Sequence, residues 1–252
     1  MLVEQTIAKL VSMKLGGMAE ALRRWLDQPK DHDLAPADLV GLLVDAEWIA
    51  RENKKLTARL RNARFRQQAC IEDIDYAQAR GLAKAVILDL ATCRWVHAHQ
   101  NVIFTGATGV GKSYLACALG QKACREGYSV VYRRTSRLLD ELAQARADGS
   151  HADLLRRLAK TQVLVLDDFG LEVLTAGQRR DLLEVLDDRY DSSSTIITSQ
   201  LEPSDWHAVI ADETIADAVC DRLVHNAHRI KLTGESARKT RGRLTTNPKP
   251  AK

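Results

Sequence analysis

A chain of 252 residues, 45% of them apolar, is long enough for one large α/β domain and a small accessory unit, and it can bury a real core. No run approaches the eighteen apolar residues of a membrane span, and MLVEQTIAKLV has an early acid and no cleavable apolar stretch, so a cytoplasmic protein without a membrane segment is expected. The net charge of +4 hides segregation: residues 51–66 carry 7 Lys/Arg against 1 Asp/Glu, residues 228–252 carry 8 against 1, and residues 67–227 carry 17 against 23. Two basic blocks flanking an acidic body suit a polyanion-binding surface better than even solubilisation does.

The five cysteines, Cys70, Cys93, Cys117, Cys124 and Cys220, are odd in number and never spaced C-x-x-C, which argues against a disulfide framework or a zinc site and reads them as small core residues.

In chain order, Val3, Ile7, Leu10, Val11 and Lys14 share a helical face, Gly16-Gly17 interrupts, and a second short helix covers 18–27. After a polar stretch with proline at each end, a long helix is predicted over 37–66. Its apolar stripe is Ile49, Asn53, Leu56, Leu60 and Ala63. Its basic side gives the candidate DNA contacts Arg51, Lys54, Lys55, Arg59, Arg61, Arg64 and Arg66. Residues 1–66 thus form a helical N-terminal domain for DNA or partner contacts. Residues 67–100 form a linker with an entry helix over 79–97, in which Tyr76, Trp95 and Val96 suit an adenine pocket or core packing equally well.

Residues 101–235 read as a nucleotide-binding core. A strand over 101–105 leads into GATGVGKS, residues 106–113, and a helix over 112–126 follows it. That run satisfies G-x-x-x-x-G-K-[ST] in its required strand and helix context, so Gly106, Ala107, Thr108, Gly109, Val110, Gly111, Lys112, Ser113 and Tyr114 are assigned to a nucleotide polyphosphate. Lys112 supplies charge for the β and γ phosphates and the Ser113 hydroxyl is placed for Mg²⁺. Strands are expected over 128–132, 162–166, 194–199 and 228–232, with helices over 136–146, 151–160, 176–190 and 203–224. This alternation predicts a doubly wound parallel α/β sheet with its ligand at the strand C-terminal edge. The apolar run QVLVL ends in Asp167-Asp168. Asp167 is assigned to the metal, and Asp168 to orienting or deprotonating the attacking water. Thr198-Ser199-Gln200 should lie beside the carboxylates, with Gln200 in reach of the γ phosphate. Arg222, placed after a helix over 214–220, either reaches a neighbouring subunit's nucleotide or makes a surface ion pair.

GATGVGKS, VLVLDDFG, IITSQLEPSDWHAVI and DRLVHNAHRIKLTGESAR, together with the N-terminal helical segment, resemble the IstB family, ATP-binding helpers of bacterial insertion sequences related to the DnaC helicase loader and the DnaA initiator. The resemblance covers almost the whole chain. It implies a P-loop NTPase of the AAA+ type that uses ATP and Mg²⁺, with an arginine finger at Arg222 and a sensor-2-like arginine at Arg238. Its implied function is ATP-dependent homo-oligomeric assembly on double-stranded DNA, delivery of that DNA to a partner transposase, and stimulation of transposition. A replicative helicase loader of the DnaC type is the alternative. Asp168 stands where the general AAA+ pattern has glutamate, and Gln200 where it usually has asparagine. The twenty residues after position 232, including a basic tail over 236–252, are too few for the usual helical lid.

Overall fold

The computed structural model describes residues 2–27, 34–76 and 81–234, and these divide into two compact units, 1–59 and 60–252. Arg238, the basic tail and the absence of a lid lie outside the described residues.

The first unit contains α1 (Leu2–Ser12), α2 (Gly16–Asp27) and most of α3 (Pro36–Ala63), with the unit boundary inside α3. Gly16-Gly17 begins α2 instead of merely interrupting the chain, and the reason is a close helix approach. A Cβ on Gly17 would stand 2.8 Å from the Ala46 carbonyl oxygen and from the Ala50 Cβ, both on α3. The buried Glu47 carboxylate of α3 accepts hydrogen bonds from the Gly17 and Met18 amides at 2.8 and 3.2 Å, satisfying orphan donors at the start of α2. Val40, Val44 and Trp48, spaced along one side of α3, remain exposed. So does Ile49, which was expected on the buried stripe; of that stripe only Ala63 is fully covered.

The second unit begins with the end of α3, which stops at Ala63 and not at Arg66 because Arg64 adopts a left-handed φ of 54°. The predicted entry helix is two short ones, α4 (Lys84–Leu90) and α5 (Arg94–His97), separated where Cys93 takes φ 57°. Then come β1 (Asn101–Gly106), α6 (Lys112–Arg125), β2 (Val130–Arg134), α7 (Thr135–Asp148), α8 (His151–Ala159), β3 (Val163–Phe169) and α9 (Ala176–Asp187). The chain continues through β4 (Ser194–Ser199), a 3-10 turn (Pro203–Asp205), α10 (Trp206–Ile210), α11 (Glu213–Val224) and β5 (Ala227–Leu232). The helical region over 203–224 is therefore broken twice, and Ala211 at φ 56° makes the second break.

The five strands are parallel in the order β2-β3-β4-β1-β5, so β4 lies between the strand carrying the phosphate loop and the strand carrying the carboxylates. Both faces are covered, as the continuous apolar strands predict. Ile103, Leu164, Leu166 and Ile197 join a core with α7, α8, α9, α10 and α11, where the Phe169 and Trp206 rings lie 4.6 Å apart, while α6 packs on the sheet as well. Trp95 and Val96 belong to the core: they are 2% and 3% exposed, and the Trp95 indole donates to the Leu90 carbonyl at 2.9 Å. Arg189 is buried between elements, donating to the Thr161 and Ser194 carbonyls at 2.6 Å each and to that of Leu158. All five cysteines are free thiols.

Candidate nucleotide site

The site forms where β1, β3 and β4 end. Gly106 closes β1 at φ 135°, and a Cβ there would stand 2.2 Å from the Leu232 carbonyl oxygen of β5, so only glycine lets the loop leave the sheet at this point. Gly109 and Gly111 also take positive φ, 89° and 106°, and Gly111 caps the start of α6. The backbone therefore turns its amides inward at a helix N-terminus, an arrangement that suits a polyphosphate. Lys112 is 6% exposed and its ammonium donates to the Gly106 and Ala107 carbonyls at 2.7 and 2.9 Å. Burial lowers its pKa, while the Asp168 and Asp167 carboxylates act in the opposite direction. Ala107, Thr108, Val110 and Tyr114 lie in the same loop and first helical turn.

Asp167 is fully buried and accepts three hydroxyl hydrogen bonds. Ser113 and Thr198 donate to Oδ1, each at 2.6 Å, and Tyr132 donates to Oδ2 at 2.5 Å. The Ser113 hydroxyl and the Asp167 carboxylate form a hard-oxygen donor set that fits Mg²⁺. Thr198 also accepts the Asp168 amide at 3.0 Å, where β3 departs from its register with β4 and Asp168 adopts φ 60°. That irregularity separates the two carboxylates: Asp167 stays in the sheet, and Asp168 turns out to 26% exposure. Asp tolerates the left-handed region better than most residues.

Gln200 follows the last residue of β4 and is exposed. Nearby, Glu202 accepts from Thr105 Oγ1 at 3.1 Å and pairs with Lys231 at 3.0 Å.

Arg222 stands within α11, which runs on through Val224, and not beyond a helix as the sequence suggested. Its guanidinium pairs with Asp187 at the end of α9 and donates to the Ala218 carbonyl at 2.8 Å. The Asn101 side chain, at the start of β1, donates to the Arg222 carbonyl at 3.0 Å. Arg222 is thus at the sheet edge opposite its own phosphate loop, five strand residues or roughly 17 Å away at a rise of about 3.3 Å per residue.

The basic residues are distributed differently from the prediction. Arg51, Lys54, Lys55, Arg59 and Arg61 are on α3, where Arg51 pairs with Glu47 and Lys55 with Glu52. Arg64 follows the helix end, and Arg66 faces the carboxylates: Nη1 is 3.7 Å from Asp167 and 3.8 Å from Asp168. Arg134 Nε lies 3.6 Å from Asp168. Tyr132, Arg134 and the position of Arg66 relative to the carboxylates escaped sequence reading, whereas Thr198 lies beside them as expected. Only the proximity of Thr198 to the carboxylates was foreseeable, from the polar end of its strand.

A phosphate loop after β1, a carboxylate pair at the end of β3 and an interposed β4 that supplies a polar residue to the pair define a P-loop NTPase of AAA+ type. The fold agrees with solved structures. DnaI matches with a TM-score of 0.58 at 22% identity, over 66% of this chain and 92% of that one. AMPPCP-bound DnaA from Aquifex aeolicus matches with a TM-score of 0.57 at 15% identity, over 69% of this chain and 53% of that one. The family model for the IstB-like ATP binding protein matches residues 8–245, and the chain belongs to that family. An insertion sequence ATP-binding protein of Sinorhizobium fredii, y4pL, is 51% identical over 243 residues, 96% of this chain and 99% of its own length.

Proposed function

We propose that this chain is an ATP-dependent DNA-binding regulator of transposition, which assembles on double-stranded DNA as a homo-oligomer, delivers that DNA to a partner transposase and stimulates it. The observation that carries the reading is the placement of Arg222 at the sheet edge remote from its own phosphate loop. Arg222 then completes a neighbouring subunit's site, and ATP held at the boundary favours the oligomer by mass action. The insertion-sequence relatives supply the transposition context. The exposed apolar side of α3 and its basic residues offer surface for a partner and for DNA.

In this reading the glycine loop and Lys112 bind the β and γ phosphates, and Ser113 with Asp167 holds Mg²⁺. When bound, Mg²⁺·ATP supplies the electrophilic γ phosphorus and a counter-charge for its oxygens. Asp168 orients the attacking water and accepts its proton. Gln200 contacts the γ phosphate or that water, Arg222 stabilises developing charge in trans, and Arg238 takes the sensor-2-like role that the family resemblance implies. One methylene shorter than glutamate, Asp168 reaches less far toward the water, so turnover is slow and depends on assembly.

Sedimentation of the protein on linear duplex DNA with AMP-PNP, ADP or no nucleotide tests the proposal. Larger complexes with AMP-PNP than with ADP, lost in Lys112→Ala, are the expected result. Assembly on DNA that is the same under all three conditions would overturn it.

A further inference from the structure

Arg66 has no part in the chemistry above, yet it lies at the centre of the site. Beyond Ala63 the chain turns at Arg64 and settles on α6. Phe65 packs so closely on Gly120 that a Cβ there would stand 2.7 Å from the ring. The Arg66 and Gln67 backbone lies close enough to the buried Cys117 thiol to oppose the rise that burial gives its pKa. Farther along, Tyr114 Oη approaches the Cys70 carbonyl at 3.5 Å, and Arg125 donates to Glu72 at 2.9 Å. The segment is therefore held to the first helix after the phosphate loop, and its Arg66 side chain reaches the carboxylates.

The Arg66 contacts, 3.7 and 3.8 Å, are longer than hydrogen bonds, so the guanidinium neutralises Asp167 and Asp168 by charge without being locked to either. Its side chain is 38% exposed, which leaves it room to swing outward. A divalent cation on Ser113 and Asp167 would draw on the same carboxylates. Two cations that share this pair, of which Asp167 is fully buried and Asp168 partly exposed, repel each other more strongly than they would in water.

We propose that Arg66 is a cis-acting gate on divalent-cation loading. Its guanidinium neutralises the Asp167–Asp168 pair until metal and nucleotide displace it, and that displacement loosens residues 64–67, which directly continue the basic helix α3. Site loading is thereby communicated to the chain segment leading to the proposed DNA contacts. The inference rests on the nucleotide-site reading.

The test compares AMP-PNP binding to wild type, Arg66→Gln and Arg66→Lys, each with Mn²⁺ and with EDTA, by isothermal titration calorimetry. Arg66→Gln should bind Mn²⁺·AMP-PNP about tenfold more tightly than wild type, a pairwise repulsion of about 1.4 kcal/mol, with metal-free affinity changed less than about twofold. Arg66→Lys keeps the charge and should stay nearer wild type. Hydrogen exchange at the Arg66 and Gln67 amides of wild type should quicken when Mn²⁺·AMP-PNP replaces EDTA. Equal or weaker Mn²⁺·AMP-PNP binding by Arg66→Gln overturns the proposal, weaker binding meaning that Arg66 holds the nucleotide. Unchanged exchange overturns it as well. A wild type that binds neither form overturns the nucleotide-site reading along with it, a result distinct from both. Thermal unfolding of Arg66→Gln confirms that the variant is folded.

Discussion

The Tyr132 hydroxyl donates to Asp167 Oδ2 at 2.5 Å, tying the middle of β2 to the carboxylate near the end of β3. Ser113 of α6 and Thr198 of β4 hold the other oxygen of that carboxylate. Three elements thus fix one buried charge, and the metal-facing geometry is built into the sheet before any ligand arrives.

Removing one of these donors should be measurable. Tyr132→Phe leaves a buried carboxylate oxygen without its hydroxyl, a loss of about 1.5–3 kcal/mol for a hydrogen bond to a charged group, and lowers Tm by roughly 3–12 °C for a unit of this size. Burial first, and then the bond to Asp167, raises the Tyr132 pKa far above the ordinary value of about 10. The neutral donor is therefore favoured by folding. Its contribution is present below pH of about 10 and declines as the pH rises beyond that. Differential scanning fluorimetry from pH 6 to pH 9 should find a constant gap between the wild type and Tyr132→Phe, and a gap that closes within that range would contradict the assignment.

Arg189 is the buried cation whose loss should cost most. Its guanidinium serves the carbonyls of Leu158 and Thr161, at the end of α8, and of Ser194, at the start of β4. Arg189→Ala removes three charge-assisted hydrogen bonds, though the Leu158 carbonyl keeps a second donor in the Thr161 amide at 3.1 Å, and at about 1 kcal/mol or more each it should destabilise by about 3 kcal/mol. Arg189→Lys should recover little, since an ammonium lacks the planar fork that reaches several acceptors. Urea unfolding followed by circular dichroism gives both differences.

What the sequence made legible follows from where its patterns are local. The GATGVGKS loop needs glycine at Gly106 because of the Leu232 carbonyl, and a motif can encode that requirement without knowledge of the partner strand. The apolar runs of β1, β3 and β4 were readable because a parallel sheet covered on both faces demands them. The strand order was not, and so neither was Tyr132 reaching Asp167 from β2. Nor did any periodicity announce the left-handed Cys93 that splits the entry helix, or the Arg64 turn that takes Arg66 off the basic helix. Trp95 was ambiguous on composition alone, and its indole bond to Leu90 places it in the core.

Arg222 offers a test of the subunit boundary. If it acts in trans, Arg222→Ala and Lys112→Ala are each inactive as single species. Mixed, they create boundaries that pair an intact phosphate loop with an intact arginine. Phosphate release from an equimolar mixture should then exceed that of either component, toward about a quarter of wild type for random pairing at equal catalytic competence. A mixture that co-assembles and still releases no phosphate would assign Arg222 to its ion pair with Asp187 alone.

The final prediction concerns the basic side of α3. Lys54, Lys55 and Arg61 are exposed on the helix, and residues 51–66 carry seven basic residues against one acid. Each phosphate contact contributes roughly −0.9 to the slope of log affinity against log salt for duplex DNA. Replacing all three by glutamine should flatten that slope by about two to three units per protomer if each meets a phosphate. The lower end of that range is expected should Lys55 stay with Glu52, to which it is bonded at 2.8 Å. Affinity should fall alike for every sequence, because phosphate contacts carry no base information. Nucleotide affinity of the isolated protomer should stay at the wild-type value, since none of the three belongs to the phosphate loop or the carboxylate pair. Fluorescence anisotropy with two unrelated duplexes over a salt series measures all of this. A triple variant with wild-type affinity and slope would take DNA binding away from this helix, and its basic side would then be a solvated face or a partner contact.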